Sequence, residues 1–190
     1  MSISIIVARY NENIEWTKQF QNVIIYNKGN KLEDGYNEFF LNNVGREGHT
    51  YYTYICDNYD NLSDYTIFLQ ARPFDHSPNI ICNLNNYINN KNLNIDFEFL
   101  SETIYNSSLE IESTKYVQCK NIHNTWERVF GVIDINHECI FGAGAQFIVS
   151  KKKILKNTKE FYKKIVEILE YSIDPVEGYH IERFHKYILN

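Results

Sequence analysis

The run Ile3-Ser-Ile-Ile-Val-Ala8 is apolar and β-branched almost throughout, and it stops abruptly at Arg9-Tyr10-Asn11-Glu12. A segment that apolar, without polar alternation, fits a central strand covered on both faces, which is the signature of a sheet with helices above and below. Ile14, Trp16 or Thr17, and Phe20 then predict a short helix. Asn13 is placed to cap it, and Glu15 falls in its first turn. Val23 to Tyr26 is a second strand, closed by Asn27-Lys28-Gly29. Strand, short helix, strand is the opening of a βαβ unit with parallel pairing.

Thr66 to Leu69 reads as a third buried strand, and Pro73, which lacks an N–H, ends its pairing. Gln70, Arg72, Asp75 and His76 lie immediately past its end. In open α/β sheets, ligands bind outside the carboxyl ends of the strands. A buried strand running into a guanidinium, a carboxylate and an imidazole therefore has the layout of a site. Between the second and third strands, 30–43 reads as a polar loop. Gly45-Arg46-Glu47-Gly48-His49 precedes a helix over 50–58, and Arg46 and His49 sit at its positive, anion-favouring end.

After His76, Ser77-Pro78 has the form of a helix start, a cap followed by proline. Ile80, Ile81, Leu84, Tyr87 and Ile88 continue that helix, and alternation over 93–99 predicts a half-buried strand. The stretch 101–141 carries little periodicity. Tyr116 to Cys119 fits a strand, and Trp126, Val129 and Phe130 a short buried helix. Gly142-Ala-Gly144-Ala-Gln146 leads into a strand at Phe147, and small residues there let a ligand or another backbone come close. Ser150 is placed to cap a short helix. A longer amphipathic helix runs from about Thr158 to Tyr171, and a last one starts near Gly178. All of this fits a single domain over 1–190.

The formal charge of −5 argues against a general nucleic-acid binder, which needs a basic stripe to meet phosphates. No segment approaches the roughly 18 apolar residues of a membrane span, and the start has no basic leader, so a soluble, cytoplasmic protein is expected. Cys56, Cys82, Cys119 and Cys139 contain no Cys-x-x-Cys pair, which argues against a zinc site of that type.

Several of these stretches together resemble an uncharacterised domain-of-unknown-function family whose members look like GT-A-type glycosyltransferases. They are Ala8-Arg-Tyr-Asn-Glu12, Tyr26-Asn-Lys-Gly29, Gly45-Arg-Glu-Gly-His-Thr-Tyr51, Phe68-Leu-Gln70 with Asp75-His76, Gly142 to Phe147, and Glu182-Arg183. The resemblance implies a Rossmann-like α/β sandwich, mainly parallel, with helices on both faces. It implies transfer of a sugar from a nucleotide-sugar donor to a glycan, protein or small-molecule acceptor. Arg9, Tyr10, Asn11, Asn27, Lys28, Arg46, His49, Gln70, Gly144 and Gln146 would then contact the donor, Arg72 would stabilise the leaving diphosphate, and Glu182 would act as base. The chain lacks the Asp-x-Asp that such enzymes use to hold a divalent cation. Asp75 and His76 are the candidate ligands for Mn²⁺ or Mg²⁺, and Arg72, Arg9 or Lys28 could neutralise the diphosphate without metal. Two other readings stay open. One is a metal-dependent hydrolase using Asp75, His76, His180 and His185, and the other a catalytically inactive nucleotide- or sugar-binding module.

Overall fold

The computed structural model describes residues 1–189. The three apolar runs become adjacent parallel strands, as expected: β1 (Ile3–Arg9) lies between β2 (Val23–Asn27) and β4 (Tyr65–Gln70), and β3 (Glu38–Phe40) extends the sheet parallel to β2. On the far side of β4 the pairing turns antiparallel, through β8 (Phe147–Ser150) to the edge strand β5 (Phe97–Phe99). The resulting order is β3-β2-β1-β4-β8-β5. From β1 the chain steps outward to β2 and β3, then returns to place β4 on β1's other side. The gap between the ends of β1 and β4 is thus a topological switch point.

Strand alternation divides the core in two. Ile5, Val7, Ile25, Ile67, Leu69 and Ile148 face Ile80 and Leu84 of α2 (Ile80–Asn89) and Ile14, which precedes a 3-10 turn at Glu15–Gln19. Ile6, Phe68, Phe147 and Val149 point the other way. They meet Tyr51, Tyr52 and Ile55 of α1 (Arg46–Asn58), Ile165 and Leu169 of α6 (Lys159–Leu169), and Ile181 and Phe184 of α7 (Val176–Ile188). Helices therefore cover both faces.

Local chemistry explains several boundaries. The Glu15 amide donates to Asn13 Oδ1 at 2.8 Å, and Ser150 and Thr158 accept from Lys153 and Phe161 amides at the starts of α5 (Lys151–Ile154) and α6. Other expectations need correction. The span 30–43 contains β3, an edge strand too short to show alternation. α2 begins at Ile80 and not at Pro78, because Ser77 Oγ donates to Leu100 O at 2.7 Å in place of capping a helix. Tyr116 to Cys119 is a helical turn, with 3-10 geometry from Val117 to Cys119, not a strand. The poorly periodic middle holds a small hairpin-like sheet of β6 (Ile104–Ser108) and β7 (Glu138–Gly142), and between them α3 (Leu109–Lys115) and α4 (Ile122–Phe130). Its strands are separated by 29 residues (109–137), so no short-range turn signal links them.

Candidate functional site

A cleft of about 760 Å³ opens at the carboxyl ends of β1 and β4, at the switch point. Ala8, Arg9, Tyr10 and Glu12 line it from the first strand end; Gln70, Ala71, Arg72 and Asp75 from the fourth. Lys28 enters from the end of β2, Arg46, Glu47 and Thr50 from the first turn of α1, and Ile173 and Asp174 from the segment before α7. Four cationic groups, Arg9, Lys28, Arg46 and Arg72, thus border one cleft together with four carboxylates, Glu12, Glu47, Asp75 and Asp174.

These cations are held in different ways. Arg9 is 8% exposed. Its Nε donates to Glu12 O at 3.0 Å, and its Nη1 reaches Tyr10 O, Asn27 Oδ1 and Asn30 O at 3.2, 2.8 and 2.9 Å. It binds the loops after β1 and β2 together, while Nη2 takes no part in these bonds. Gly29 completes the junction: a Cβ there would lie 1.6 Å from Tyr10 O, so only glycine lets the two loops touch. Lys28 Nζ donates to Val44 O and, at 2.6 Å, to Arg46 O. Burial lowers its pKa to about 8, against a smaller opposing effect from Glu47. Arg46 lies across Gly178, with its guanidinium 4.2 Å from the Tyr179 ring centre and Nη1 donating to Asp174 at 3.1 Å. Arg72 is largely exposed and pairs only with Asp75, at 3.3 Å. It is the least committed of the four.

The remaining sequence candidates lie beside or behind the cleft. Asn27 is fully buried; its Nδ2 donates to Glu38 Oε1 at 2.6 Å, so it buttresses Arg9. Asn11 Oδ1 accepts from Asn30 N at 2.9 Å and is not part of the lining. His49 is buried, with its pKa lowered to about 4 by burial first and by Lys28 second. Gly144, at φ +80°, presses against the His76 ring and donates its N–H to Glu182 Oε1 at 2.8 Å. Gln146 Nε2 donates to Pro73 O at 3.1 Å, while Oε1 is buried without a partner. Glu182 is mostly covered, and its pKa is raised, chiefly by burial and next by the charge of Glu47. Its neighbour Arg183 makes a buried pair with Glu112 at 2.6 Å and keeps Nη1 3.8 Å from Glu182 Oε2.

No three His, Cys, Asp or Glu side chains gather as a metal-ligand set among the described residues. Asp75 is engaged by Arg72, and His76 packs on Gly144. His180 shares hydrogen bonds with Thr125 and Gln118 O, and His185 with Tyr52, all inside the helical layer. The four-residue constellation of a metal-dependent hydrolase is therefore not assembled. Nor do Asp75 and His76 fit a protein-built cation site, since no third protein ligand joins them. The sequence reading gave Glu47 and Thr50 no role, because it started the helix at 50; α1 starts at Arg46, and only then do the two, three positions apart, share one face. A family model described as a protein of unknown function, DUF3431, matches residues 5–190. No curated protein and no solved structure matches the chain.

Proposed function

The chain belongs to the DUF3431 family, and from the cleft at its switch point we propose that it binds a nucleotide-sugar and transfers the sugar to an acceptor. The observation carrying this reading is the convergence of Arg9, Lys28, Arg46 and Arg72 on one cleft outside the ends of β1, β2 and β4. Strand ends at a switch point are where such folds take their ligands, and guanidinium groups meet phosphate oxygens in bidentate fashion. Arg72, exposed and held only by Asp75, is free to turn onto a diphosphate. Tyr10, half exposed at the same mouth, offers a ring face to a base.

In the proposed reaction the acceptor oxygen attacks the anomeric carbon. The bond from that carbon to the diphosphate oxygen breaks, and its electron pair leaves with the diphosphate. The acceptor proton passes to the Glu182 carboxylate, whose hold on a proton is strengthened by burial. Cationic side chains oppose the charge that grows on the leaving oxygen.

Calorimetric titration tests the binding step. Arg72→Ala should weaken nucleoside-diphosphate affinity by roughly 10- to 100-fold, the value of one charge-assisted hydrogen bond. Arg72→Lys should restore part of it, because a point charge cannot make the planar fork. Unchanged affinity in Arg72→Ala removes this strand end as the donor site. Release of the nucleoside diphosphate from a nucleotide-sugar in the presence of an acceptor, abolished in Glu182→Gln, separates an enzyme from a binding module.

A further inference from the structure

A threonine inside a helix ordinarily returns its hydroxyl to the carbonyl four residues back. Thr53 does so, donating to His49 O at 2.8 Å. Thr50, one turn earlier and fully buried, does not: its Oγ1 has no partner. The reason lies in its neighbours. The carbonyl it would use, Arg46 O, already accepts from Lys28 Nζ at 2.6 Å in addition to the helical N–H. Both lone pairs are occupied, so the hydroxyl is left over. A buried hydroxyl without a partner costs stability, on the order of 1–3 kcal/mol, and such a group calls for an explanation. Thr50 lines the cleft, three positions after Glu47 on the same helix face. Glu47's nearest cation, Arg46 Nε, stands 3.7 Å away, too far for a hydrogen bond, and that nitrogen is itself buried and unpartnered.

We infer that Thr50 and Glu47 form a subsite for a hydroxyl-bearing ring, the sugar of the donor, next to the cationic part of the cleft. The carboxylate accepts hydrogen bonds from ring hydroxyls, and the Thr50 hydroxyl exchanges one with a neighbouring ring oxygen. Lys28 holds the subsite open by occupying the carbonyl that would otherwise satisfy Thr50. The inference rests on the nucleotide-sugar reading and adds the residues that see the sugar.

The test compares UDP and GDP with UDP-glucose, UDP-N-acetylglucosamine and GDP-mannose by calorimetry, on the full chain. It uses the wild type, Thr50→Val, Thr50→Ser and Glu47→Gln. The sugar conjugate should bind more tightly than its bare nucleotide. Thr50→Val should lower affinity for the conjugate about fivefold with the bare nucleotide unchanged, and Glu47→Gln should lower the ratio of conjugate to bare-nucleotide affinity about tenfold. Thr50→Ser keeps the hydroxyl and should keep the difference. Because Oγ1 bonds nothing, the melting temperature of Thr50→Val should match or exceed that of the wild type, which excludes loss of fold as the cause. Equal losses for nucleotide and conjugate would overturn the subsite. So would a conjugate that binds no better than its nucleotide, in which case the nucleotide reading stands alone. Should neither nucleotide bind, ligand-observed NMR with methyl glucoside, galactoside, mannoside and N-acetylglucosaminide decides separately. Saturation transfer lost in Thr50→Val supports a sugar subsite without nucleotide chemistry, and no transfer to the wild type overturns it.

Discussion

Single side chains that line this cleft also hold loops together, and their titration reports it. Lys28 carries an ordinary pKa of 10.5 when unfolded and about 8 in the fold. Between those values the unfolded chain binds more protons, so stability contributed by this site rises with pH from about 8 to 10.5. Relative to Lys28→Met, the wild type should gain up to about 3 kcal/mol across that window, read from paired urea titrations; a constant difference would contradict the burial of the ammonium. The buried histidines act in the same sense at lower pH. Burial holds His49 and His180 near 4 and His185 near 3. Below the unfolded value of about 6.5 these groups bind protons only when the chain opens, so their stabilising contribution falls as pH drops toward 4. NMR titration of the imidazole carbons should find these three still neutral at pH 5. Gly29 is the third residue-level case. Gly29→Ala should cost about 2 kcal/mol or more in urea unfolding, because its Cβ would occupy the space of Tyr10 O.

The elements owe their ends to identifiable groups, and these are separable by mutation. Thr158 Oγ1 accepts from the Phe161 amide at 3.3 Å at the start of α6, and that helix packs against α1. Thr158→Ala should lower stability by about 1 kcal/mol without altering ligand affinity, as judged by denaturation and calorimetry together. A change in affinity would mean that α6 transmits strain to α1. The start of α1 is organised differently. Gly45 adopts φ +67° and no side chain caps the helix; its Cβ would fall 2.5 Å from that of His49. The first turn of α1 is therefore anchored from outside, by the Lys28 ammonium on the Val44 and Arg46 carbonyls, and so its position depends on the end of β2.

At the scale of the whole molecule, the cleft gathers four cations, Arg9, Lys28, Arg46 and Arg72, beside four carboxylates, Glu12, Glu47, Asp75 and Asp174, on an acidic chain. Interactions of partly exposed charges are screened by salt, over about 10 Å at 0.1 M. UDP affinity should fall several-fold between 50 and 500 mM NaCl, while that of uridine, which has no phosphate, should stay level. Parallel loss for both ligands would show that the phosphates do not meet the cleft's cations. No helix among the described residues is long and apolar enough to cross a membrane.

What the sequence by itself determined is the parallel half of the sheet and the place where it ends. Ile3, Val23 and Thr66 begin runs whose apolar character requires cover on both faces, and Arg9, Lys28 and Arg72 follow those runs directly. Once the strands are parallel neighbours, these cations must share one sheet edge. The cap at Ser150 was legible for a similar reason, since a cap bonds within three residues of itself. Tertiary structure alone decided the rest. β6 and β7 pair across a long insertion, and β3 is three residues long, so neither leaves a periodic trace. Asn27 and Asn11 looked like ligand contacts, yet folding turns them onto Glu38 and Asn30. Thr50 gives no sign in the sequence that its hydroxyl is unpaired. That depends on Lys28, 22 positions earlier, taking the Arg46 carbonyl, a competition that exists only when the end of β2 and the first turn of α1 are brought together.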